Sequence, residues 1–266
     1  MHTTSTQPAS ASTLRITRRP PSPGWVVTVV VTWITFVLLV DADATLGIQR
    51  LLGVATWLVL LGLLARESNL VRVQTVVVVV FASIVEFTFS PLLEVYLYRF
   101  HNVPAYVPPG HGLVYLAALA VGRTAFVRTH LRACMLTVLV AGGGYAAYGL
   151  VWADRPDVLG AFWYLCLVGF FLWGPSRGLY VGAFLVVTYL ELLGTGLGTW
   201  TWQPHDPTGW VAIGNPPSGA AGGYGWFDLA ALTLAPSVVG VRLLFRRAEP
   251  QPASTEIVHP AGQPVA

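Results

Sequence analysis

The sequence contains no lysine and few charged residues of any kind. All 15 basic residues are arginines, and charged residues make up 10% of the 266 positions. Because soluble domains carry about 25% charged residues, this composition excludes an ordinary soluble domain. The net charge is only +3, and the arginines lie at the ends of apolar segments rather than in one basic patch. Nucleic acid is therefore not expected as a partner.

Cysteines and ligand-binding motifs are also scarce. The two cysteines, Cys134 and Cys166, each lie inside an apolar segment. Their small number excludes a disulfide framework, and their position is typical of small buried residues. The sequence has no His-Glu-x-x-His pair, glycine-rich phosphate loop or dinucleotide fingerprint, which are motifs that mark metal and nucleotide sites. We therefore predict no metal and no cofactor.

Hydrophobic residues instead make up 55% of the chain and form eight apolar segments. A helix needs about 20 residues to cross the hydrocarbon of a bilayer, and several segments approach that length. We predict an all-α polytopic membrane protein with about eight transmembrane helices. The segments are 25–40, 46–65, 71–92, 106–122, 131–152, 158–175, 178–199 and 224–245. The first has a second interpretation as a cleaved signal peptide, since Ala42-Asp43-Ala44 resembles a small-x-small cleavage site.

The arginines predict the orientation of the chain. If the N-terminus is cytoplasmic, twelve arginines lie on the inner side, and only Arg50, Arg99 and Arg155 lie on the outer side. This positive-inside bias predicts a multi-pass protein of the cell membrane with both termini cytoplasmic. Residues 1–24 and 248–266 are polar and rich in Pro, Ser, Thr or Ala, and we predict that both are disordered cytoplasmic tails.

An internal repeat divides the chain into a first transmembrane half, 25–122, and a second, 123–247. Glu86 in Ser-Ile-Val-Glu-Phe-Thr-Phe-Ser aligns with Glu191 in Thr-Tyr-Leu-Glu-Leu-Leu-Gly-Thr, and a proline-rich outer loop and Leu-Ala-Ala-Leu follow in both copies. We predict two parallel four-helix repeats related by a pseudo-axis along the membrane normal. The other aligned pairs are Tyr96 with Trp200, Tyr98 with Trp202, His111 with Tyr224, and Tyr115 with Asp228.

The two aligned carboxylates, Glu86 and Glu191, are the leading candidates for chemistry. A charged side chain within the hydrocarbon costs about 2.5 kcal/mol or more, so each glutamate must face the bundle, find partners or stay protonated. Both lie in the outer half of their segments, at similar depth. We predict that they are catalytic. The alternative is a structural role, in which each glutamate makes a hydrogen bond to a neighbouring helix.

The remaining candidates surround the glutamates in the repeat. Asp228 is a third possible catalytic acid, or else an interfacial residue that reaches water. His111 is a proton carrier, or else a satisfied polar group at a helix start. The aromatic candidates for substrate binding are Tyr96, Tyr98, Trp200, Trp202 and Tyr224, whose rings can steady a cation or form an interfacial belt. Gly194, Gly196 and Gly198 allow close approach of a helix or a flat ligand, and the loop 203–223 is predicted to fold back over the bundle.

The pattern Glu191-x-x-Gly194-x-Gly196-x-Gly198-x-Trp200-x-Trp202 resembles a signature of bacterial carotenoid biosynthesis membrane proteins of the hydratase type, with tryptophans where that family has tyrosines. The first copy, from Glu86 to Tyr96-x-Tyr98, is similar. The resemblance implies a small polytopic protein that hydrates terminal double bonds of long isoprenoids. A looser likeness is to small integral-membrane terpene cyclases, which also rely on acids within the membrane.

These features together predict acid-type hydration or cyclisation of an isoprenoid lipid, a lyase-type reaction in carotenoid biosynthesis. Glu86 and Glu191 are the expected acid and conjugate base, and Asp228 is expected to relay a proton or orient water. The expected partners are membrane lipids and a lipidic small molecule. A proton-coupled transporter of a small or lipidic solute is one alternative. A non-catalytic membrane assembly protein is the other.

Overall fold

The fold of residues 21–248 is described by a computed structural model, with side chains described as far as residue 240. Helices occupy all eight apolar segments, and a short extra helix joins two of them. The helices are α1 (Pro23–Asp41), α2 (Leu46–Leu64), α3 (Asn69–Phe87), α4 (Val107–Arg123), α5 (Ala125–Thr129), α6 (Leu131–Val151), α7 (Val158–Trp173), α8 (Arg177–Gly196) and α9 (Ala220–Ala248). The predicted tails, 1–24 and 248–266, lie outside the described residues except at 21–24 and 248, where α1 begins at Pro23 and α9 ends at Ala248.

Local sequence signals explain where several helices begin. The side chains of Ser22, Thr45, Ser68 and Asp157 each accept a hydrogen bond from a backbone N–H in the first turn of the following helix. Such N-caps satisfy donors that have no partner within the helix. In a chain with so few polar residues, these short side chains fix the ends of α1, α2, α3 and α7.

Five helices are long and apolar enough to cross a membrane: Pro23–Asp41, Leu46–Leu64, Asn69–Leu92, Leu131–Val151 and Arg177–Gly196. Large apolar side chains also lie on the outside of the bundle; Leu51, for example, is 69% exposed and Trp173 is 82% exposed. A soluble protein rarely exposes so much continuous apolar surface. The prediction of a helical multi-pass membrane protein is confirmed at this level.

The centre of the bundle is the contact between α4 and α8. A Cβ on Gly182 of α8 would overlap the backbone of Ala118, and a Cβ on Gly122 of α4 would lie 2.6 Å from the backbone of Gly178. These small residues let the two helices approach closely, as in many membrane bundles. Helices α3 and α9 pack against each other beside this pair, so α3, α4, α8 and α9 enclose the middle of the molecule.

Two short strands, which follow the ends of α3 and α8, are the feature that the sequence did not predict. Strand β1 (Tyr96–Tyr98) pairs antiparallel with β2 (Trp200–Trp202), with Leu97 opposite Thr201. All four aromatic side chains are buried, whereas Thr201 is exposed. Because side chains alternate along a strand, the four aromatic rings lie on one face of the sheet.

Helix α1 is an integral part of the bundle. Its residues Val30 and Leu38 are buried, and the helix packs against α4. At its end the carboxylate of Asp41 accepts hydrogen bonds of 2.9 Å from Gln49 and from the hydroxyl of Tyr106. This packing favours a retained helix over the signal-peptide interpretation of the first segment.

Candidate functional site

One cavity of about 750 Å³ lies among α1, α3, α4, α8, α9 and the two strands, and its wall is largely apolar. The sequence candidates that line it are Glu86, Tyr96, Tyr98, His111, Glu191, Trp200, Trp202 and Tyr224. Residues more than 100 positions apart therefore meet at one site. Asp228 is the exception, because it does not line this cavity.

Glu86 stands at the end of α3, surrounded by hydrogen-bond donors. Its Oε2 accepts bonds of 2.9 Å from the hydroxyls of both Tyr96 and Tyr98. Its Oε1 lies 2.9 Å from Nε2 of His111. A π-helical turn, Thr88–Leu92, with Pro91 inside it, ends α3, and the chain then returns as β1 with the two phenols directed at the carboxylate.

The two phenols can only act as donors to Glu86. Burial raises the pKa of Tyr96 and of Tyr98 well above the ordinary value, and the nearby Glu86 charge raises both further. Both hydroxyls therefore keep their protons at any physiological pH. Together with His111 they give Glu86 three partners, which is the coordination that stabilises an ionised carboxylate.

Glu191 occupies the matching position on α8 but has a different set of partners. Its Oε2 accepts bonds of 3.1 Å from the indole N–H groups of both Trp200 and Trp202. Its Oε1 has no hydrogen-bond partner among the described residues. Glu191 is also buried, with 4% of its surface exposed, and the residue lines the cavity.

Four of the aromatic candidates, Tyr96, Tyr98, Trp200 and Trp202, donate hydrogen bonds to the glutamates, a role that was not expected of them. The rings still pack tightly: Tyr96 and Trp202 have centroids 4.5 Å apart, and Tyr98 and Trp200 are 6.1 Å apart. The strand pairing produces both contacts, because Tyr96 faces Trp202 and Tyr98 faces Trp200 across the sheet. The aromatic cluster thus orients the carboxyl groups and lines the cavity.

The three glycines after Glu191 have different roles. A Cβ on Gly194 would overlap the indole ring of Trp200, whereas a Cβ on Gly196 would meet no atom within 4 Å. Gly198 has a φ of +69°, a left-handed conformation that glycine adopts without strain. Gly194 therefore makes room for the ring that binds Glu191, and Gly198 permits the turn into β2.

His111 of α4 and Tyr224 of α9 meet in the cavity wall. Their rings stack with centroids 5.1 Å apart and an angle of 25° between their planes. Phe227 packs edge-on against both rings. Since Nε2 of His111 also contacts Glu86, this stack links α4 and α9 to the first carboxylate.

The outer loop 203–219 covers the cavity and contributes Asp206, Pro207, Thr208 and Val211 to its wall. Asp206 organises the loop, since its carboxylate accepts hydrogen bonds from Thr208 and from the backbone N–H of Val211. These bonds, the one from the Thr208 side chain above all, hold the pKa of Asp206 below its ordinary value. The loop is thus folded by its own side chains.

Sequence reasoning missed three residues that hold the outer loops in place. Asp157 is buried and accepts hydrogen bonds from the backbone N–H groups of Gly214, at 2.9 Å, and Ser218, at 2.6 Å. Arg155 donates to backbone carbonyls of the same region, including that of Trp202 at 2.7 Å. Asp41, at the end of α1, holds the segment before α4 by accepting a hydrogen bond from the hydroxyl of Tyr106. The only sequence signal was an acidic residue at the edge of an apolar segment.

Asp228 lies one helical turn after Tyr224 on α9. It is buried, with 5% of its surface exposed, and it makes no hydrogen bond to any described residue. The expectation that it is interfacial therefore does not agree with its burial, and its position outside the cavity separates it from the two glutamates.

Comparison with protein-family models, with curated proteins and with solved structures gave no match to this chain. The resemblance to carotenoid biosynthesis membrane proteins accordingly depends on the glutamate, glycine and aromatic positions alone. What the site can do must be inferred from its chemistry: an apolar cavity with two carboxyl groups, one with three donors and one with a free oxygen.

Proposed function

We propose that this protein is a membrane enzyme that protonates a carbon–carbon double bond of an isoprenoid lipid and then hydrates or cyclises it. The observation that supports this most is the presence of both glutamates in one apolar cavity. Cavities of about 300–1,000 Å³ with apolar walls and a few polar groups suit small organic ligands. An alkene has no polar handle, so its chemistry requires an acid placed within reach in such a wall.

The hydrogen bonds suggest different chemical roles for the two glutamates. Glu191 is the acid, because its free Oε1 can carry a proton at the cavity wall. Transfer of this proton to one alkene carbon leaves a carbocation on the other. Water then adds to the cation and loses a proton to Glu86, or a second double bond attacks the cation and the new cation loses a C–H proton to Glu86. Glu86, with its three hydrogen-bond partners, is the base of this step.

The aromatic rings have a second use in this mechanism. The cavity wall includes Tyr96, Tyr98, Trp200, Trp202 and Tyr224, whose π faces attract a cation. A carbocation formed between the glutamates would meet these faces before it met bulk water. The rings would therefore both hold the carboxyl groups in place and stabilise the intermediate.

We also propose that the molecule consists of two parallel four-helix halves with eight transmembrane helices and both termini in the cytoplasm. A two-fold axis through the pair Leu97 and Thr201 would exchange β1 with β2, and the observed register has that symmetry. The stack of His111 on Tyr224 fits the same axis, because the two residues are aligned in the repeat. Cavity residues on α4 and α9 also fall at equivalent positions, because the same number of residues separates the two members of each pair. The five pairs are Val107 with Ala220, Gly110 with Gly223, His111 with Tyr224, Leu113 with Trp226, and Val114 with Phe227.

The decisive experiment is to express the protein in a bacterial host that accumulates linear polyene isoprenoids and to compare lipid extracts by mass spectrometry. Hydration adds the mass of one water, whereas cyclisation leaves the mass unchanged and alters retention and absorbance. We expect Glu86→Gln and Glu191→Gln each to abolish the product. Glu94→Gln changes an exposed carboxylate near the same end of the bundle and should leave product formation intact.

The alternatives give different results in this experiment. A transporter would leave the isoprenoids chemically unchanged but move a solute in a way that depends on the two carboxyl groups. An assembly protein would tolerate both glutamine substitutions. An isoprenoid profile that is the same with and without the protein, in cells whose membranes are shown to contain it, would refute the enzymatic proposal.

A further inference from the structure

Several polar atoms below the cavity are buried without a partner. The hydroxyls of Tyr115 and Tyr180 and Nδ1 of His111 have no hydrogen-bond partner among the described residues. Tyr115 is 1% exposed and Tyr180 is 0% exposed. Asp228 is buried in the same part of the bundle and also lacks a partner there. No step of the proposed reaction uses Tyr115 or Tyr180.

Helix geometry brings these groups together at the junction of α4, α8 and α9. Residues four apart lie on the same face of a helix, so Tyr115 and Asp228 lie one turn below His111 and Tyr224, which stack on each other. Tyr115 also lies one turn above Ala118, which packs against Gly182 of α8.

Contacts on the other face of α9 place Tyr180 at the same junction. A Cβ on Gly225 would overlap the ring of Phe170, and Phe170 stacks on Tyr180 with a centroid distance of 5.0 Å. Asp228 lies one turn after both Tyr224, which stacks on His111, and Gly225, which contacts Phe170.

A protein interior rarely leaves such groups unpaired. A buried donor or acceptor without a partner costs about 1–3 kcal/mol, and buried waters typically make about three hydrogen bonds to polar groups of this kind. Two hydroxyls, a carboxyl group and an imidazole nitrogen offer more than enough partners for bound water. An apolar ligand could not satisfy them.

We propose that the junction of α4, α8 and α9 is an internal hydration site, in which bound water connects Asp228, Tyr115 and Tyr180 to Nδ1 of His111. The site gives His111 a source and sink of protons that bypasses the apolar cavity. In the Nδ1–H tautomer, Nε2 of His111 accepts the proton held by Glu86 while the Nδ1 proton leaves to the water. The product is the Nε2–H tautomer, which donates to ionised Glu86, and the reverse movement protonates Glu86. This role in resetting Glu86 rests on the proposed function; the hydration site itself does not.

The thermal stability of Tyr→Phe variants tests whether water is present. If the hydroxyls bind water, Tyr115→Phe and Tyr180→Phe remove hydrogen bonds, and both variants should unfold at a lower temperature than the parent protein in the same detergent and at the same heating rate. Tyr148→Phe is the control, since Tyr148 is 53% exposed on the outside of the bundle and should change little. If the site is empty, removing an unpaired hydroxyl should leave the unfolding temperature equal or higher, and that result would overturn the proposal.

Solvent exchange at His111 tests the connection to Asp228. In protein labelled with ¹⁵N-histidine, the signal of His111 is assigned by its loss in His111→Asn, and exchange of its ring proton with water is measured by NMR. We expect exchange several-fold slower in Asp228→Asn than in the parent protein. Equal exchange rates in the two proteins would overturn the connection. Neither measurement requires turnover. An unchanged isoprenoid profile would refute the role in resetting Glu86. The unfolding temperatures and exchange rates separately test whether the hydration site exists.

Discussion

Substituting Gly194 by alanine tests the link between helix packing and the second carboxylate. The Cβ of alanine would overlap the Trp200 ring, so the indole must move. Trp200 is buried, with 7% of its surface exposed, and has little free space to move into. If it moves, its N–H loses Oε2 of Glu191, and one of the two donors that orient this carboxyl group is gone.

Three contributions determine the expected change in the free energy of unfolding. Overpacking a filled site costs about 1–3 kcal/mol. Loss of a hydrogen bond to a carboxylate adds about 1.5 kcal/mol, and replacing a helical glycine by alanine returns up to about 1 kcal/mol. We expect Gly194→Ala to lower the free energy of unfolding by about 2–3 kcal/mol.

Gly196 provides a matched control two residues further along the same helix. A Cβ there would meet no atom within 4 Å, so Gly196→Ala should be neutral or stabilise the protein by up to about 1 kcal/mol. The assay is the unfolding temperature of each purified variant in one detergent. Equal or higher stability of Gly194→Ala relative to Gly196→Ala would show that the indole does not lie against α8, and the described geometry at Glu191 would be wrong.

Three other predictions concern the outer ends of the helices. Asp41→Asn replaces one of the two oxygens that accept from Gln49 and Tyr106 by an NH2 donor and should cost about 2 kcal/mol of stability, whereas Asp43→Asn, at an exposed position, should change the unfolding temperature little. Arg155→Ala leaves the loop carbonyls without their donor, so limited proteolysis should cut within 203–219 at a protease concentration that leaves the parent intact. In the proposed eight-helix topology, Thr208→Cys in whole cells should react with a membrane-impermeant maleimide and Arg128→Cys should not; the opposite pattern would refute the orientation.

The helices and the pairing of the two glutamates could be predicted because both follow from regularly spaced residues in the sequence. Apolar segments of about 20 residues give the helices, and the repeat gives Glu86 and Glu191 equivalent depth. Spacing does not give the rotation of a helix about its axis, and this is why Asp228 was grouped with the glutamates although it lies outside their cavity.

The hydrogen-bond partners of the site could not be predicted for a different reason. Strands of three residues have too few positions to show alternation, so the pairing of β1 with β2 and the donors it directs at Glu86 and Glu191 left no pattern in the sequence. The bond from Tyr106 to Asp41 joins residues 65 positions apart, and nothing local to either residue indicates the other. The cavity is formed by contacts of this kind, between residues far apart in the sequence.

The register of the two short strands has a consequence for the history of the chain. A contact in which equivalent elements meet each other across a two-fold axis is an isologous interface, the kind that joins two identical subunits. In this protein that interface lies inside one polypeptide. In the proposed two-half arrangement, each strand finds its partner in the other half, and a half on its own would present an unpaired strand edge that invites association with another copy. Within one polypeptide the partner strand stays at high effective concentration, and the two carboxylates have different donors, tyrosines at Glu86 and tryptophans at Glu191.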